Sequence, residues 1–428
     1  MVLIYSNKIS PRLQYICSFI FTELLCTGFR ITESETEYKQ NAGTKINYSS
    51  TCFSESEFRI QNMPLLFENS IAQQNIVCFD TGDFKAFFKT TNSSYPFDVF
   101  AASFYLISRY EEYLPYQKDS YGRYAHENSI AFKANFLTQP LINSWVIHFG
   151  KMLKAYFPDF DLKQNHFSFM PTYDVDIAYS YLHKGWKRNM GGFLKQPSLQ
   201  RLKVLAGFEK DPFDVYSWLN DMHRTNNLQP VYFFLFAKQN GIYDKNILPD
   251  NAAMIQLVKK HAAAYDLGIH PSWKSGEDEG LLLQEKKAME SVIQKQVVNS
   301  RQHYIKFDLP QGYARLIGAG ITDDYSMGYG SINGFRASVA SSFYWYNLQT
   351  EQQTSLRIHP FCFMDTNSFY EQKLTAKAAY DELMQYYNSC KSVNGTLITI
   401  WHNNFLGTDK KFEGWKEMYL QFIALVRK

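Results

Sequence analysis

Residues 167–176 read FSFMPTYDVD, an apolar and aromatic run that ends in two carboxylates. The run predicts a buried β-strand over Phe167–Tyr173. Because side chains alternate along a strand, Asp174 and Asp176 should project to one face, roughly 7 Å apart. Such a pair can share a cation, or serve as one metal ligand and one proton acceptor. Capping of the following helix is the alternative interpretation of the pair.

Similar short apolar runs recur along the rest of the chain. The predicted strands are Phe167–Tyr173, Val231–Phe236, Leu267–Pro271, His303–Phe307, Leu356–Phe363 and Thr396–Trp401. Amphipathic helical segments separate most of them, at Pro212–Arg224, Asn251–Tyr265, Gly280–Asn299 and Phe369–Tyr387. Repeated β–α units of this length predict a parallel sheet or a (β/α) barrel.

The first 165 residues have a different texture, with polar stretches between short apolar runs and no motif that carries chemistry. Its charged cluster, Arg109-Tyr110-Glu111-Glu112, is interpreted as a solvated helix face. The segment Pro158–Asn165 is the best candidate for a linker. We therefore expect a smaller N-terminal α/β domain at 1–165, of unassigned role, and a barrel domain at 166–428.

Bulk properties exclude several classes of protein. The 428 residues carry a formal net charge of +3 and no basic run, so there is no electrostatic case for binding nucleic acid. No segment reaches the about 18–20 consecutive apolar residues of a membrane span. The six cysteines include no CxxC pair, and the first residues lack the order of a signal peptide. We expect a cytoplasmic protein.

Polar side chains follow several of the predicted strands. His270 comes directly after the third strand, Arg301 and His303 stand at the fourth, and His402 follows the last. Each histidine alone is more often a hydrogen-bonded residue than a ligand. Because (β/α) barrels place their sites at the C-terminal ends of strands, the histidines should meet the aspartate pair. Such ligands suit Zn²⁺, Co²⁺ or another divalent first-row metal.

The order of these motifs resembles that of a known family. Asp-x-Asp, Gly-x-His-Pro-Ser, Arg-x-His, Asp-x-Ser and a late strand ending in His are similar to the NodB-homology polysaccharide deacetylases, carbohydrate esterase family four. The nearest resemblance is to a bacterial branch with an extra N-terminal domain, and it covers residues 166–428. It implies a deformed, seven-stranded (β/α) barrel, a divalent metal such as zinc, and hydrolysis of an N-acyl group on a saccharide.

The resemblance also implies roles for single residues. Asp174 would be the catalytic base and Asp176 a metal ligand, while His270 would be the first ligand histidine. Arg301 would orient the catalytic aspartate, and His402 would protonate the leaving amine.

Substrate-binding residues are predicted less directly. Asp324 and Ser326 match the Asp-x-Ser signature that lines the groove of the family. Tyr329, Trp273 and Trp401 lie beside strand-end motifs and could form a platform for a sugar, although core packing is the alternative for each ring. Arg336 is interpreted as a structural arginine paired with a carboxylate.

One position departs from the family pattern. The second ligand histidine should stand four residues after His270, where this chain has Lys274. A protonated amine is a poor ligand, so His303 is the nearest replacement. We expect an imidazole nitrogen of His303 within about 5 Å of the ligand atoms of Asp176 and His270. Otherwise the protein would be a binding-only relative without a metal.

The predicted function is therefore metal-dependent removal of an N-acyl group from a saccharide. Hydrolysis of a non-sugar, cyclic amide is the alternative within enzymes, and an inactive carbohydrate-binding protein is the alternative from another class. A two-carboxylate glycosidase is a weaker idea because it explains neither His270 nor His303.

Overall fold

The computed structural model describes residues 1–163, 165–195 and 197–426. Its first part contains a four-stranded parallel sheet in the order β2-β1-β3-β4, followed by a short antiparallel pair, β5 and β6. The strands are β1 (Val2–Tyr5), β2 (Phe29–Thr32), β3 (Lys45–Tyr48), β4 (Arg59–Ile60), β5 (Phe79–Asp80) and β6 (Lys85–Ala86). The helices are α1 (Pro11–Cys17), α2 (Glu35–Gln40), α3 (Val99–Ile107), α4 (Ile130–Lys133) and α5 (Leu141–Tyr156).

Local sequence explains where the first long helices begin. Ser10 caps α1 by accepting a hydrogen bond from the Leu13 amide, and Pro11 occupies the first helical position, where no amide hydrogen is needed. Asp98 caps the wholly buried α3 in the same way through the Ala101 amide.

The second part is built on a sheet of nine strands in the order β12-β13-β11-β10-β9-β8-β7-β15-β14. Neighbours are parallel except for β12 and β13. The strands are β7 (Ser168–Val175), β8 (Val231–Leu235), β9 (Asp266–His270), β10 (Asn299–Ser300), β11 (Asp323–Asp324), β12 (Phe343–Asn347), β13 (Gln352–Ile358), β14 (Phe363–Met364) and β15 (Thr396–His402).

Over the described residues of this part, eight α-helices accompany the sheet. They are α6 (Trp186–Lys195), α7 (Leu199–Leu205), α8 (Tyr216–Asn226), α9 (Ala252–Ala262), α10 (Glu279–Ile293), α11 (Gln311–Gly318), α12 (Ala376–Ser392) and α13 (Trp415–Val426). The molecule is thus a mixed α/β protein with a large, mostly parallel sheet. Strands β12 and β14 end the pairing order, and closure into a seven-stranded barrel stays a prediction. Within the described ranges, every helix falls short of the length and apolar character that crossing a membrane needs.

The central strands set the register of the polar residues that follow them. All five residues of β8 are buried, as is typical of a parallel strand covered on both faces. Asp174 is in register with Phe233 of β8 on one side and with His402 of β15 on the other. His270 is in register with Leu235. Asp174, His270 and His402 therefore stand at the same edge of the sheet.

The fourth predicted strand was misplaced. The sequence predicts it at His303–Phe307, but the strand is Asn299–Ser300, and His303–Ile305 forms a 3-10 turn in which Tyr304 has φ of 59°. The chain leaves the ladder after Arg301, because the Gln302 amide donates to the side chain of Ser326 instead of to a strand. Arg301 and His303 consequently do not share a strand face.

The charged cluster at residues 109–112 is buried, so its interpretation as a solvated helix face was wrong. Arg109 and Glu112 pair within the cluster, with Nε 2.7 Å from Oε1. Arg336 of the second part donates to both oxygens of Glu112, at 2.9 and 2.6 Å, which agrees with its interpretation as a structural arginine. Both parts also share one continuous apolar core, so the boundary at residue 165 stays a prediction.

Candidate metal centre and its cleft

The candidate site lies in a cleft of about 630 Å³ at the C-terminal ends of the central strands. Asp174 lies in β7, and Asp176 directly follows that strand. His270 is the last residue of β9, and His402 is the last residue of β15. His303 enters from the turn after β10. The volume lies within the range of ligand-binding pockets.

Asp176, His270 and His303 form a cluster that could hold a metal ion. Their ligand atoms all lie within 4.8 Å of one another, which agrees with the distance expected from the sequence. His270 Nε2 is 3.1 Å from Asp176 Oδ1, and His303 Nε2 is 3.4 Å from Asp176 Oδ2. Lys274, which replaces the histidine of the family motif, is exposed and outside the cluster.

A fourth group faces the same carboxylate. His402 Nε2 lies 3.5 Å from Asp176 Oδ2. Three imidazoles therefore surround one aspartate.

Each imidazole is held by its other nitrogen. His270 Nδ1 donates to the Arg301 carbonyl at 2.5 Å, and His303 Nδ1 donates to Asp244 Oδ1 at 2.9 Å. His402 Nδ1 donates to Asp365 Oδ1 at 2.6 Å. Because these acceptors fix the proton on Nδ1, they leave Nε2 to face Asp176, as second partners do for ligand histidines.

Asp176 and two of the imidazoles around it, those of His303 and His402, hold one another in their charged forms. Burial by itself would raise the pKa of Asp176, but His303 and His402 hold it well below its usual value. Burial disfavours the charged form of His303, yet Asp176 and Asp244 outweigh burial and raise its pKa to about 9. The pKa of His402 rises to about 10, because Asp365 and Asp176 likewise outweigh burial.

The hydrogen bonding and the chemical types of Asp176, His270 and His303 indicate whether they suit a metal ion. Among the described residues, Asp176 Oδ1 is a buried oxygen that accepts no assigned hydrogen bond, and the nitrogen 3.1 Å from it, His270 Nε2, is the one left free when Nδ1 carries the proton. Buried carboxylate oxygens normally accept a hydrogen bond, so this oxygen is available to coordinate a cation. One carboxylate and two imidazoles are also an ordinary ligand set for a catalytic zinc. The residues present fit a divalent metal.

Asp174 lies beside the cluster without belonging to it. Its Oδ2 is 3.9 Å from His270 Nε2, and its Oδ1 accepts a hydrogen bond of 2.8 Å from Arg301 Nη1. Arg301 is fully buried, with Nε donating to the Tyr325 carbonyl and the guanidinium 4.3 Å from the ring centre of Phe233. Arg301 therefore positions Asp174 but does not reach the cleft itself.

Two further carboxylates were not predicted as site residues. Asp365 accepts from both Nδ1 and the backbone amide of His402, at 2.6 Å each. It follows the short strand β14, so the strand-end rule could have found it. Asp244 contacts His303 and accepts from the Trp273 amide at 3.0 Å, but it lies in an irregular segment where no pattern marks it.

Four of the five predicted substrate-contacting residues are corrected by the structure, since none lines the cleft and each is at most 2% exposed: Asp324, Ser326, Tyr329 and Trp401. The Asp324 carboxylate accepts hydrogen bonds from the backbone and hydroxyl of Ser326. The Trp401 ring packs on Tyr419, 4.5 Å between ring centres. Core packing and local hydrogen bonding explain these residues.

Three tyrosines that were not predicted line the cleft, and the predicted Trp273 packs against one of them. Tyr121, Tyr243 and Tyr304 line it and are half-buried, and Trp273 stacks on Tyr243 with ring centres 4.0 Å apart. We call these four residues the aromatic wall. Tyr121 belongs to the first part of the chain, and Arg123 beside it donates to the Tyr304 carbonyl at 2.8 Å. The cleft is thus built from both parts of the molecule.

Comparisons with known proteins give one family model and several similar solved structures. A family model described as a family of unknown function (DUF7033) matches residues 2–158. No curated protein sequence matches the chain.

Similar solved structures include a candidate polysaccharide deacetylase from Mycobacterium smegmatis, at 14% identity and a TM-score of 0.40, covering 61% of this chain and 84% of that one. A polysaccharide deacetylase from Bacillus cereus has 9% identity and a TM-score of 0.32 over 61% and 89% of the two chains. A CE4 family pseudoenzyme from Bacillus anthracis has 9% identity and a TM-score of 0.31 over 61% and 62%. At these TM-scores the similarity carries no argument about function, which must come from the site.

Proposed function

We propose that the protein is a metal-dependent hydrolase that removes an N-acyl group from a saccharide. One observation carries the proposal: three imidazoles, each held through Nδ1, present Nε2 to Asp176 beside an aspartate paired with arginine. Side chains that serve only to pack a core have no need of three imidazoles arranged around the two oxygens of one carboxylate.

Asp176, His270 and His303 would hold the metal. Oxygen and imidazole ligands favour Zn²⁺, with Co²⁺ or another first-row cation as the substitute. When bound, a divalent cation polarises an amide carbonyl and lowers the pKa of a water molecule.

The neighbouring residues would move the protons. Asp174, aligned by its hydrogen bond from Arg301, would accept the proton of the attacking water. His402, protonated through its contacts with Asp365 and Asp176, would donate a proton to the departing amine. Base and acid stand at adjacent positions of paired strands, so both reach one substrate amide.

The aromatic wall supports a saccharide as substrate. Tyrosine rings offer flat apolar faces with a polar edge, which suits the C–H face and hydroxyl groups of a sugar. Three tyrosines that remain half-exposed beside the cluster are therefore a better platform than the buried Trp401 and Tyr329.

The test combines metal analysis with product detection. Purified protein should contain about one divalent metal per chain by plasma mass spectrometry, and should release acetate from N-acetylglucosamine oligomers, with loss of activity after chelation and recovery with Zn²⁺. Metal binding together with hydrolysis of cyclic amides, but not of N-acetyl sugars, would favour the amide hydrolase. Absence of metal binding after incubation with Zn²⁺ would leave only a binding function.

A further inference from the structure

An exposed apolar surface is formed by α6, α7 and Phe208, and we call it the α6–α7 surface. Seven of the 16 exposed large apolar side chains in the described part of the chain lie within residues 186–208. Their exposure runs from 44% at Leu205 to 83% at Phe208. Scattered apolar side chains are ordinary on a protein surface, but this concentration in one segment is not.

Four of these seven side chains, Trp186, Met190, Leu202 and Leu205, border one groove, and Leu194, Leu199 and Phe208 are exposed elsewhere in the same segment. A groove of about 540 Å³ is lined by Trp186, Met190 and Phe193 of α6 and by Leu202 and Leu205 of α7. The two helices contact each other through Arg201, whose Nη1 donates to the Asn189 carbonyl at 3.2 Å. The apolar face is thus a built feature of two packed helices.

The charge of the segment indicates what covers this face. Residues 177–208 contain six Lys and Arg and no Asp or Glu, in a chain whose net charge is only +3. Lysines border the apolar residues: Lys187 follows Trp186, and Lys195 follows Leu194. Basic side chains around exposed Trp, Leu and Phe are typical of helices that lie in the headgroup region of anionic membranes.

The surface is fixed to the cleft end of the sheet. The segment that carries the surface begins after Asp176, the residue that follows β7. Asp211 accepts hydrogen bonds from the amides of Ser180, Tyr181 and Leu182 at 2.8–3.0 Å. Arg188 donates to the Asn246 carbonyl at 2.9 Å. These contacts hold α6 against the loops that border the candidate site.

We propose that the α6–α7 surface binds an anionic lipid bilayer. Trp186, Leu194 and Phe208 insert among the headgroups, while Lys187 and Lys195 lie at the level of the lipid phosphates. The protein attaches to the bilayer without crossing it, and the end of the sheet that carries the cleft is held near the lipid surface.

Vesicle flotation of the full-length protein tests the proposal. The probes are vesicles of phosphatidylcholine alone and of an equimolar mixture with phosphatidylglycerol. The wild type should float with the anionic vesicles, and the bound fraction should fall as salt is raised. Trp186→Ser/Leu194→Ser/Phe208→Ser should weaken binding by about tenfold or more, because each serine removes apolar area that enters the bilayer.

Two matched variants separate the apolar and electrostatic contributions. Val77→Ser/Leu420→Ser changes exposed apolar residues elsewhere and should bind as the wild type does. Lys187→Gln/Lys195→Gln should weaken binding at low salt and make it less sensitive to salt. Circular dichroism establishes that each variant is folded.

Three results would overturn the proposal: no flotation of the wild type with anionic vesicles, equal flotation with neutral vesicles, or undiminished binding by the triple serine variant. A wild type that is dimeric, a triple variant that is monomeric, and no vesicle binding by either would assign the surface to a second copy of the chain. Because flotation requires no turnover, its outcome is independent of the proposed hydrolase activity.

Discussion

His303, His270 and His402 show how single residues orient the side chains of the candidate site. Each imidazole is oriented by an oxygen that accepts a hydrogen bond from Nδ1: the Arg301 carbonyl for His270, Asp244 for His303 and Asp365 for His402. Such second partners fix the ring orientation and increase the basicity of Nε2. Under the proposed function, His303, with its own carboxylate partner Asp244, would take the place of the ligand histidine that the resemblance leads us to expect at Lys274.

The ligand assignment predicts loss of metal from three variants. Asp176→Ala, His270→Ala and His303→Ala should each reduce the metal content from about one ion per chain to near zero, since three protein ligands are the minimum of a catalytic zinc site. His359→Ala is the control, because this histidine pairs with Asp323 at 2.8 Å outside the cluster. Metal content is measured after dialysis, and full content in one of the three would remove that residue from the ligand set.

The division of roles between the two aspartates predicts a different result for Asp174. Asp174→Asn should retain metal but lose turnover by a factor on the order of 10²–10⁴, because an amide cannot accept the proton of water. Arg301→Lys should also lower turnover, since lysine lacks the fork that contacts Asp174 and the Tyr325 carbonyl together. Near-wild-type acetate release by Asp174→Asn would contradict its role as the base.

The raised pKa of His303 predicts that metal binding depends on pH. Below its pKa of about 9, Nε2 of His303 carries a proton in the metal-free protein, and a cation must displace that proton. The apparent affinity for Zn²⁺ should therefore rise by up to about tenfold per pH unit between pH 6 and 8. Competition with a chelator measures the affinity, and calorimetry in two buffers measures the proton released. An affinity that stays constant over this range would contradict a proton on Nε2 of His303 in the metal-free protein.

At the scale of elements, the polar ends of long strands were predictable and the short elements were not. Strands β7, β8, β9 and β15 are five to eight residues long and buried over most of their length, and this places His270 and His402 correctly at the sheet edge. The turn at His303–Ile305 looks like a strand in sequence because His, Tyr, Ile and Phe favour strands, and only the contact of Gln302 with Ser326 reveals the turn. A strand of two residues, such as β10, is too short to show an alternation of apolar and polar side chains.

Close packing of β9 predicts that Gly268 tolerates no side chain. A Cβ atom there would lie 2.4 Å from Phe233 Cε1 and 3.0 Å from Asn299 Cβ, between the two neighbouring strands. Gly268→Ala should therefore lower the free energy of unfolding by about 1–3 kcal/mol, because the central strands must shift. It should also weaken metal binding, since β9 ends at His270. Gly191→Ala, where nothing lies within 4 Å, is the control in urea denaturation, and equal stability of the two variants would contradict the packing argument.

At the scale of the whole molecule, the sequence left the relation between its two parts open. Arg109 and Glu112 read as surface charges because Arg336, which also pairs with Glu112, stands 224 positions away, a separation that no local pattern reports. The burial of Trp401 and Tyr329 was undetermined for a similar reason, since core and sugar platforms use the same residue types. Tyr121 was missed because it belongs to a part of the chain without catalytic motifs, yet it lines the cleft.

The buried charge network predicts that the two parts are stabilised together. Burial alone would raise the pKa of Glu112, but Arg336 and Arg109 hold it below its usual value, so the carboxylate is charged between two guanidinium groups. Glu112→Ala leaves both arginines buried without this partner and should lower the free energy of unfolding by about 3–5 kcal/mol. The exposed Glu417→Ala is the control and should change the free energy of unfolding by less than about 0.5 kcal/mol.

A single urea transition that shifts for Glu112→Ala, by tyrosine fluorescence and circular dichroism alike, would mean that both parts unfold as one unit. If only part of the signal shifted, the network would stabilise one part alone, and the cleft would not depend on the contact between them.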